Sequence, residues 1–476
     1  MGRAAKLLTG LSIFTLGVYA VNSGQETSSD PQRHAFQEAV LQSPSSPASD
    51  LGNAQHSLSV TVSLEAGDVL ILGSLDTSAA CHRVTLTLAD SASSPSNSNG
   101  EFLVVAADSI SRIDLRGDKP GFVADAVSEI ARPRQVAEPK FRRFKVPYFS
   151  ADGACDRFIE APSLVETENV RIYTEATLLN SDSSATATKR LADTVCETLE
   201  TGLREYVEQR VGELSDIDGD GRLSILLCHL CDERLPGDEL NTEPILGCVR
   251  GADFNLSDPF SGDIVYLDIG LANRSDLVAI LGHELAHAAV FSQCSNDDLT
   301  IPGWLNEAIA HKIEIEVCPS SQNFARRLDA FLRQTDAFPV FSQPGFYSAT
   351  TQRGGTRAAG CTFLSAVLEA NPDVSLTQLI CCGESRPNRF AKLGGSGFAE
   401  IFRSWAVGIV KTFPDAANRT LTNGRVRISG TAFHAWASES RARTVKVDFD
   451  PTARLQVTVV RQTPNLAEIR PQTSPR

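Results

Sequence analysis

Two histidines four residues apart, with a glutamate twenty residues beyond the second, constrain this chain more than any other feature. Residues 282 to 287 read Gly-His-Glu-Leu-Ala-His, and Glu307 follows within Trp304-Leu305-Asn306-Glu307. On a helix, positions i and i+4 share a face, so His283 and His287 can turn their imidazoles toward one ion while Glu284, one step round, reaches a water beside it. Catalytic zinc takes three protein ligands and leaves a fourth position open. A second helix must therefore pack on the first if Glu307 is to arrive as the third ligand. The bland alternative makes all of these ordinary polar residues on helix surfaces. It requires three ligand types to fall at these spacings by chance.

Two schemes for the third ligand can be told apart on the page. A metzincin continues with Gly at 290 and His at 293, but those positions are Val290 and Gln293 and the only methionine is Met1, which excludes a Met-turn. A gluzincin draws a glutamate from a following helix, as Glu307 permits. The stretch Asn306-Glu307-Ala308-Ile309 and the twenty-residue step are similar to thermolysin-like gluzincins. Trp304-Leu305-Asn306-Glu307 more closely resembles the hyicolysin-type neutral zinc metallopeptidases of bacteria. That second resemblance extends, in matching order, to DIDGDGRLSILL at 216–227, DIVYLD at 263–268 and GFAEIFRSWAV at 397–407, and covers residues 145 to 415.

The resemblance implies an α+β zincin-like catalytic domain preceded by a small all-β module. It places zinc on His283, His287 and Glu307, with Glu284 as general base toward a polypeptide substrate. The strand at 264–269 is expected to offer its edge to an extended peptide. An aminopeptidase would carry a Gly-Ala-Met-Glu-Asn type of motif, which the single methionine rules out, so an endopeptidase is expected. The rival reading is a secreted binding or structural protein whose zincin domain holds metal without turnover. It draws support from His311, which stands where thermolysin-like enzymes place an aspartate that orients a zinc histidine. An imidazole cannot replace that carboxylate, so another group must accept the proton, leaving His311 to contact substrate or to pack as a buried histidine.

Further candidates are weaker. Tyr347, the only tyrosine downstream of the zinc helices, lies in a Gly-rich stretch and is a candidate oxyanion donor or a structural residue. His434 lacks the thermolysin-like motif, so no role carries over to it. Asp216, Asp218 and Asp220, with Gly221, match the first half of a calcium loop, but Leu227 occupies the position of the bidentate glutamate. Ca²⁺ closed by Asp232 or Glu233 and a plain acidic turn are both open.

The amino terminus has a basic patch followed by about fifteen mostly apolar residues and Val18-Tyr19-Ala20, which reads as a signal peptide over 1–20. It implies export to the periplasm, cell surface or medium of a bacterium, with no membrane span after cleavage. Residues 21–55 read as a disordered linker, 56–130 as the β-module from short alternating runs, 140–423 as the metallopeptidase domain and 424–476 as a β-rich segment and tail. Apolar residues every four positions, Leu191 to Val207, predict one helix over 187–212, and Ser275 is a candidate N-cap for the zinc helix. With 44 Lys+Arg against 58 Asp+Glu the net charge is -14, unfavourable for nucleic acid. Eleven cysteines in an exported chain predict disulfides, among them Cys228 or Cys231, whose CxxC lacks the second half of a zinc knuckle.

Overall fold

A computed structural model describes residues 58–77, 81–90, 101–106, 112–113, 115, 134–135, 140–150, 153–231, 245–256, 258–294, 301–341, 354–381, 397–417, 419–438, 442–450 and 452–461. The expected signal peptide and linker, Tyr347, Asp232, Glu233 and Cys382 lie outside them. Among the described residues helices and strands are mixed, with three sheets and a strand-rich amino-terminal region.

The first elements among the described residues are β1 (Leu58–Leu64), β2 (Val69–Ser74), β3 (Cys81–Asp90) and β4 (Glu101–Ala106). It continues through β5 (Arg134–Gln135), β6 (Phe141–Ser150), β7 (Gly153–Glu166) and β8 (Val170–Thr174) to α1 (Asp182–Thr198) and α2 (Arg204–Val211). Then come β9 (Leu223–Cys228), β10 (Gly247–Cys248) and β11 (Ile264–Asp268), followed by α3 (Leu277–Cys294), α4 (Gly303–Val317), α5 (Gln322–Arg333), α6 (Gly354–Ala370), α7 (Leu376–Cys381) and α8 (Phe398–Thr412). The last strands are β12 (Arg419–Thr420), β13 (Gly424–Ser429), β14 (Phe433–Ala437), β15 (Arg443–Phe449) and β16 (Leu455–Arg461).

The strands read as an amino-terminal module and those read as a carboxy-terminal segment share their sheets. One sheet has the order β1-β15-β3-β13, the other β12-β14-β2-β16-β4, so β3 and β2 each lie between strands from the opposite end of the chain. Side-chain alternation explains the layering. Val60, Val62, Leu70, Leu72, Val84, Val445 and Val457 form a core between the sheets. Ile71, Phe433 and Val460, from the other face of the second sheet, join the main core of the helices. Gly73 admits that contact, since a Cβ there would stand 2.3 Å from the Phe402 ring. The run SRIDLRG at 111–117, one of the alternating runs behind the β-module expectation, contains no strand among its described residues. Ile113 instead buries its side chain, and its N–H is donated to Thr412 Oγ1.

The central sheet runs β10-β11-β9-β8-β7-β5, with β6 also paired to β7. Strands β8, β9 and β11 are parallel, and their residues are buried on both faces, as parallel strands covered on both sides require. Ile172, Ile225, Val265 and Leu267 face the helices, whereas Tyr173, Leu226 and Tyr266 pack with Phe144 and Val146 of β6. The helix predicted over 187–212 starts earlier, where the Ser181 hydroxyl caps the Ser184 N–H, and is interrupted by a wide turn at 199–203 in which Gly202 has φ 104°. Only glycine takes that conformation readily, so α1 and α2 separate there.

The expected disulfides are not formed by Cys196, Cys228, Cys248 or Cys361, which are buried free thiols. Cys228 and Cys248 sit on β9 and β10 with β11 between them. Two strand spacings, roughly 9–10 Å, exceed the span of about 7 Å that a disulfide bridges.

Candidate metal centre

Helix α3 is apolar on every side because it is central: from Ala279 to Val290 every residue is buried. It opens one residue later than the Ser275 expectation, with the Asp276 carbonyl accepting the Ile280 N–H and the Asp276 carboxylate paired to Arg274. Gly282 lets α4 approach, since a Cβ there would lie 2.9 Å from Val317 Cγ2. The two helices run antiparallel, so that His283 faces Glu314 and His287 faces Asn306.

That packing brings His283, His287 and Glu307 together with their ligand atoms within 4.8 Å of one another. The two imidazole Nε2 atoms are 3.2 Å apart, and His283 Nε2 is 3.9 Å from Glu307 Oε2. Tetrahedral ligands at zinc distances are separated by roughly 3.3 Å, so the trio has the span of a metal's ligand set. Hydrogen bonding fixes the tautomers. His283 Nδ1 donates to Glu314 Oε2 at 3.1 Å and His287 Nδ1 donates to Asn306 Oδ1 at 2.8 Å, leaving both Nε2 lone pairs directed at the same space. Burial lowers the pKa of both imidazoles, that of His283 to about 3 with His311 adding to the effect, so both are neutral and able to ligate. Glu307 Oε2, buried there, has no hydrogen-bond partner. Converging lone pairs beside an unpartnered carboxylate oxygen are unfavourable unless a cation sits between them. The donor set of two imidazoles and a carboxylate suits a divalent metal ion.

Glu284 lies beside this trio with both carboxylate oxygens buried and without hydrogen-bond partners. Burial, reinforced by the nearby Glu307 carboxylate, pushes its pKa well above the usual range. Gly247 of β10 sits against it: a Cβ at 247 would fall 2.7 Å from Glu284 Cγ. The edge of β11 expected to face substrate is covered by β10, through the pairs Gly247–Leu267 and Cys248–Tyr266, so β10 is the terminal strand among the described residues.

Glu314 is the residue that sequence reasoning missed. It stands where the His311 problem required a carboxylate, three residues further along α4. Oε2 accepts from His283 Nδ1 and from His311 Nδ1, the latter at 2.7 Å, while Ser321 Oγ donates to Oε1 and Asn323 Nδ2 reaches both oxygens. Burial opposes ionisation of this carboxyl, but the hydrogen bonds donated by His311 and His283 hold it well below the usual carboxylate range. The signal was available: Glu307, His311 and Glu314 follow the i, i+4, i+7 spacing of one helix face. His283, His311 and Glu314 also form a compact group. Within it both imidazole Nδ1–H groups donate to Glu314 Oε2, at 2.7 and 3.1 Å, so those atoms satisfy one another by hydrogen bonding.

The calcium loop is assembled differently from the expectation. Asp216 and Asp218 come together with the buried Asp263 rather than with Asp220. Asp220 pairs with Arg171, while Asp216 accepts the Asp220 and Gly221 N–H groups and so closes the turn. The Arg142 guanidinium pairs with Asp218 and donates to the Ser261 carbonyl. A built-in cation thus borders the acidic group. His434 lies in the sandwich, stacked on Trp436 at 5.0 Å. No cysteine takes part in the metal-sized clusters among the described residues.

These geometries stand alone as the guide to function, because no protein-family model matches the chain and no curated protein is significantly similar to it.

Proposed function

We propose that the chain is a zinc-dependent peptidase of the zincin type, acting on internal peptide bonds of extended polypeptides. The observation that carries this reading is the convergence of the His283 and His287 Nε2 lone pairs with the unpartnered Glu307 Oε2, next to an equally unpartnered Glu284. His283, His287 and Glu307 would hold the ion. Bound zinc supplies Lewis acidity and lowers the pKa of water at the site toward neutrality. Glu284 takes the proton of the attacking water and passes it to the leaving amine, a role that needs a carboxylate poised beside the ion without another hydrogen bond to satisfy. Glu314 and Asn306 hold the two imidazoles in the tautomer that ligates.

The substrate main chain is assigned to the outer edge of β10, which runs past Glu284 with Gly247 at the point of closest approach. The feature that favoured a binding protein without turnover, an imidazole at position 311, loses its force because Glu314 provides the carboxylate. Hydrolysis of an unstructured protein by the purified chain tests the proposal. Cleavage that is abolished by a chelator and restored by Zn²⁺ supports it, and absence of cleavage by the zinc-loaded chain overturns it.

A further inference from the structure

Resting on the metal reading above, we infer that Arg357 is a positioning residue that restricts Glu307 to one metal-directed oxygen. Arg357 lies on α6, with its side chain only 3% exposed, and its Nη2 is 3.3 Å from Glu307 Oε1. The other oxygen, Oε2, has no hydrogen-bond partner and is the one that faces His283 Nε2. The two oxygens of the same carboxylate are thus assigned different partners, a permanent cation for one and the metal pocket for the other.

The local packing builds this arrangement. One turn beyond Arg357, Gly360 brings α6 close to α4: a Cβ at 360 would be in contact with the Trp304 carbonyl at 3.5 Å and with Ala308 Cβ at 3.7 Å. Trp304 and Ala308 flank Glu307 along α4, so α6 packs against the stretch of α4 that carries the carboxylate. The terminal torsion of a glutamate is broad and nearly two-fold. A carboxylate held only by its stem can rotate and offer both oxygens to an ion, whereas a guanidinium paired with Oε1 opposes that rotation. Arginine suits the task because it stays charged in a buried site and donates along a rigid fork. Lysine would keep the charge but lose the direction. Arg357 also acts electrostatically on Glu284 and His287, which places it at the same centre.

Loading the full chain with Co²⁺ and recording its visible absorption tests the assignment, because the intensity and position of the cobalt bands report coordination number and geometry. With Glu307 confined to one oxygen the wild type gives the intense bands of a four-coordinate ion. Arg357→Met is expected to give several-fold weaker bands as Glu307 turns to present both oxygens, and Arg357→Lys bands between the two. Melting of the metal-free variants checks that each is folded; should the Met variant fail to fold, the Lys variant carries the comparison. Spectra of the folded variants identical to that of the wild type would overturn the role. A wild type that binds no cobalt would overturn both this role and the metal site. A wild type that binds cobalt normally, and zinc without cleaving peptide, would remove the peptidase reading alone and leave the Arg357 comparison intact.

Discussion

Removing the Glu314 carboxylate is the sharpest perturbation of the metal centre that leaves its ligands in place. The side chain is fully buried and accepts from two imidazoles, a hydroxyl and an amide. Glu314→Ala leaves the His283 and His311 Nδ1–H groups without an acceptor, each at about 1–3 kcal/mol. Ser321 and Asn323 lose their common partner as well. A destabilisation on the order of 3–5 kcal/mol in the metal-free protein follows, the range for breaking a buried charged network. Glu314→Gln is milder. Its amide oxygen can still accept from both imidazoles while its NH₂ group donates to Ser321 Oγ and gives up the Asn323 Nδ2 contact to Oε1, so the imidazoles keep their acceptor and the negative charge is lost. Outer partners of metal-binding histidines contribute about 10–100-fold to affinity, equivalent to about 1.4–2.7 kcal/mol. The Gln variant belongs near the lower end of that span and the Ala variant near the upper. Competition with a chromophoric chelator measures the affinity, and chemical denaturation of the metal-free protein measures the stability. Zinc affinity in a folded Glu314→Ala equal to that of the wild type would refute the reasoning that Glu314 orients His283.

Gly247→Ala inserts a methyl group 2.7 Å from Glu284 Cγ. It is expected to lower kcat/KM by roughly 100-fold, the cost of about 1 Å of misplacement, while zinc content stays at the wild-type level; unchanged activity would separate β10 from the proposed base, Glu284. Burial pushes the pKa of Asp253 up from 3.8 to about 7, against the Arg250 guanidinium 3.8 Å away and the Tyr266 hydroxyl at 2.8 Å. The folded chain therefore retains a proton that the unfolded chain releases near 3.8, and this group's contribution to stability falls as pH rises toward 7 and levels off above it. Denaturation profiles should show Asp253→Asn gaining on the wild type across that window, with a constant difference between the two counting against a protonated Asp253. A chain that begins at residue 112 lacks β1 to β4, which include the strands between β13 and β15 and between β14 and β16. It should be insoluble or expose the carboxy-terminal strands to protease; a soluble, resistant fragment would show that the sandwich does not depend on the amino-terminal strands.

The local patterns were easy to read and the long-range pairings were not. Alternation located β1, β2, β3 and β4, and the runs RVRIS, TVKVDF and LQVTVV located β13, β15 and β16. Nothing in an alternating run says which strand it will pair with, so the interleaving of the two ends of the chain was invisible. Strand β14 was missed because FHAWA is buried over four successive residues, with core on both faces, and shows no alternation. Helical spacing exposed His283, Glu284, His287 and Glu307 as candidates that could share one site. It also contained Glu314, which attention to a single position, His311, concealed. Asp263 and Arg357 could not be foreseen in the same way, since each reaches its partners from an element distant in sequence, and only tertiary packing brings them there.

The most direct test of the central claim compares zinc content and hydrolysis of an unstructured protein in the wild type and in Glu284→Gln. The substitution keeps the shape of a side chain whose two carboxylate oxygens have no hydrogen-bond partner. Equal zinc in both proteins, with cleavage by the wild type and loss of at least about 100-fold in Glu284→Gln, is the predicted result. Equal zinc and equal cleavage would contradict the assignment of Glu284 as the base, and no cleavage by either zinc-loaded protein would contradict the peptidase account itself.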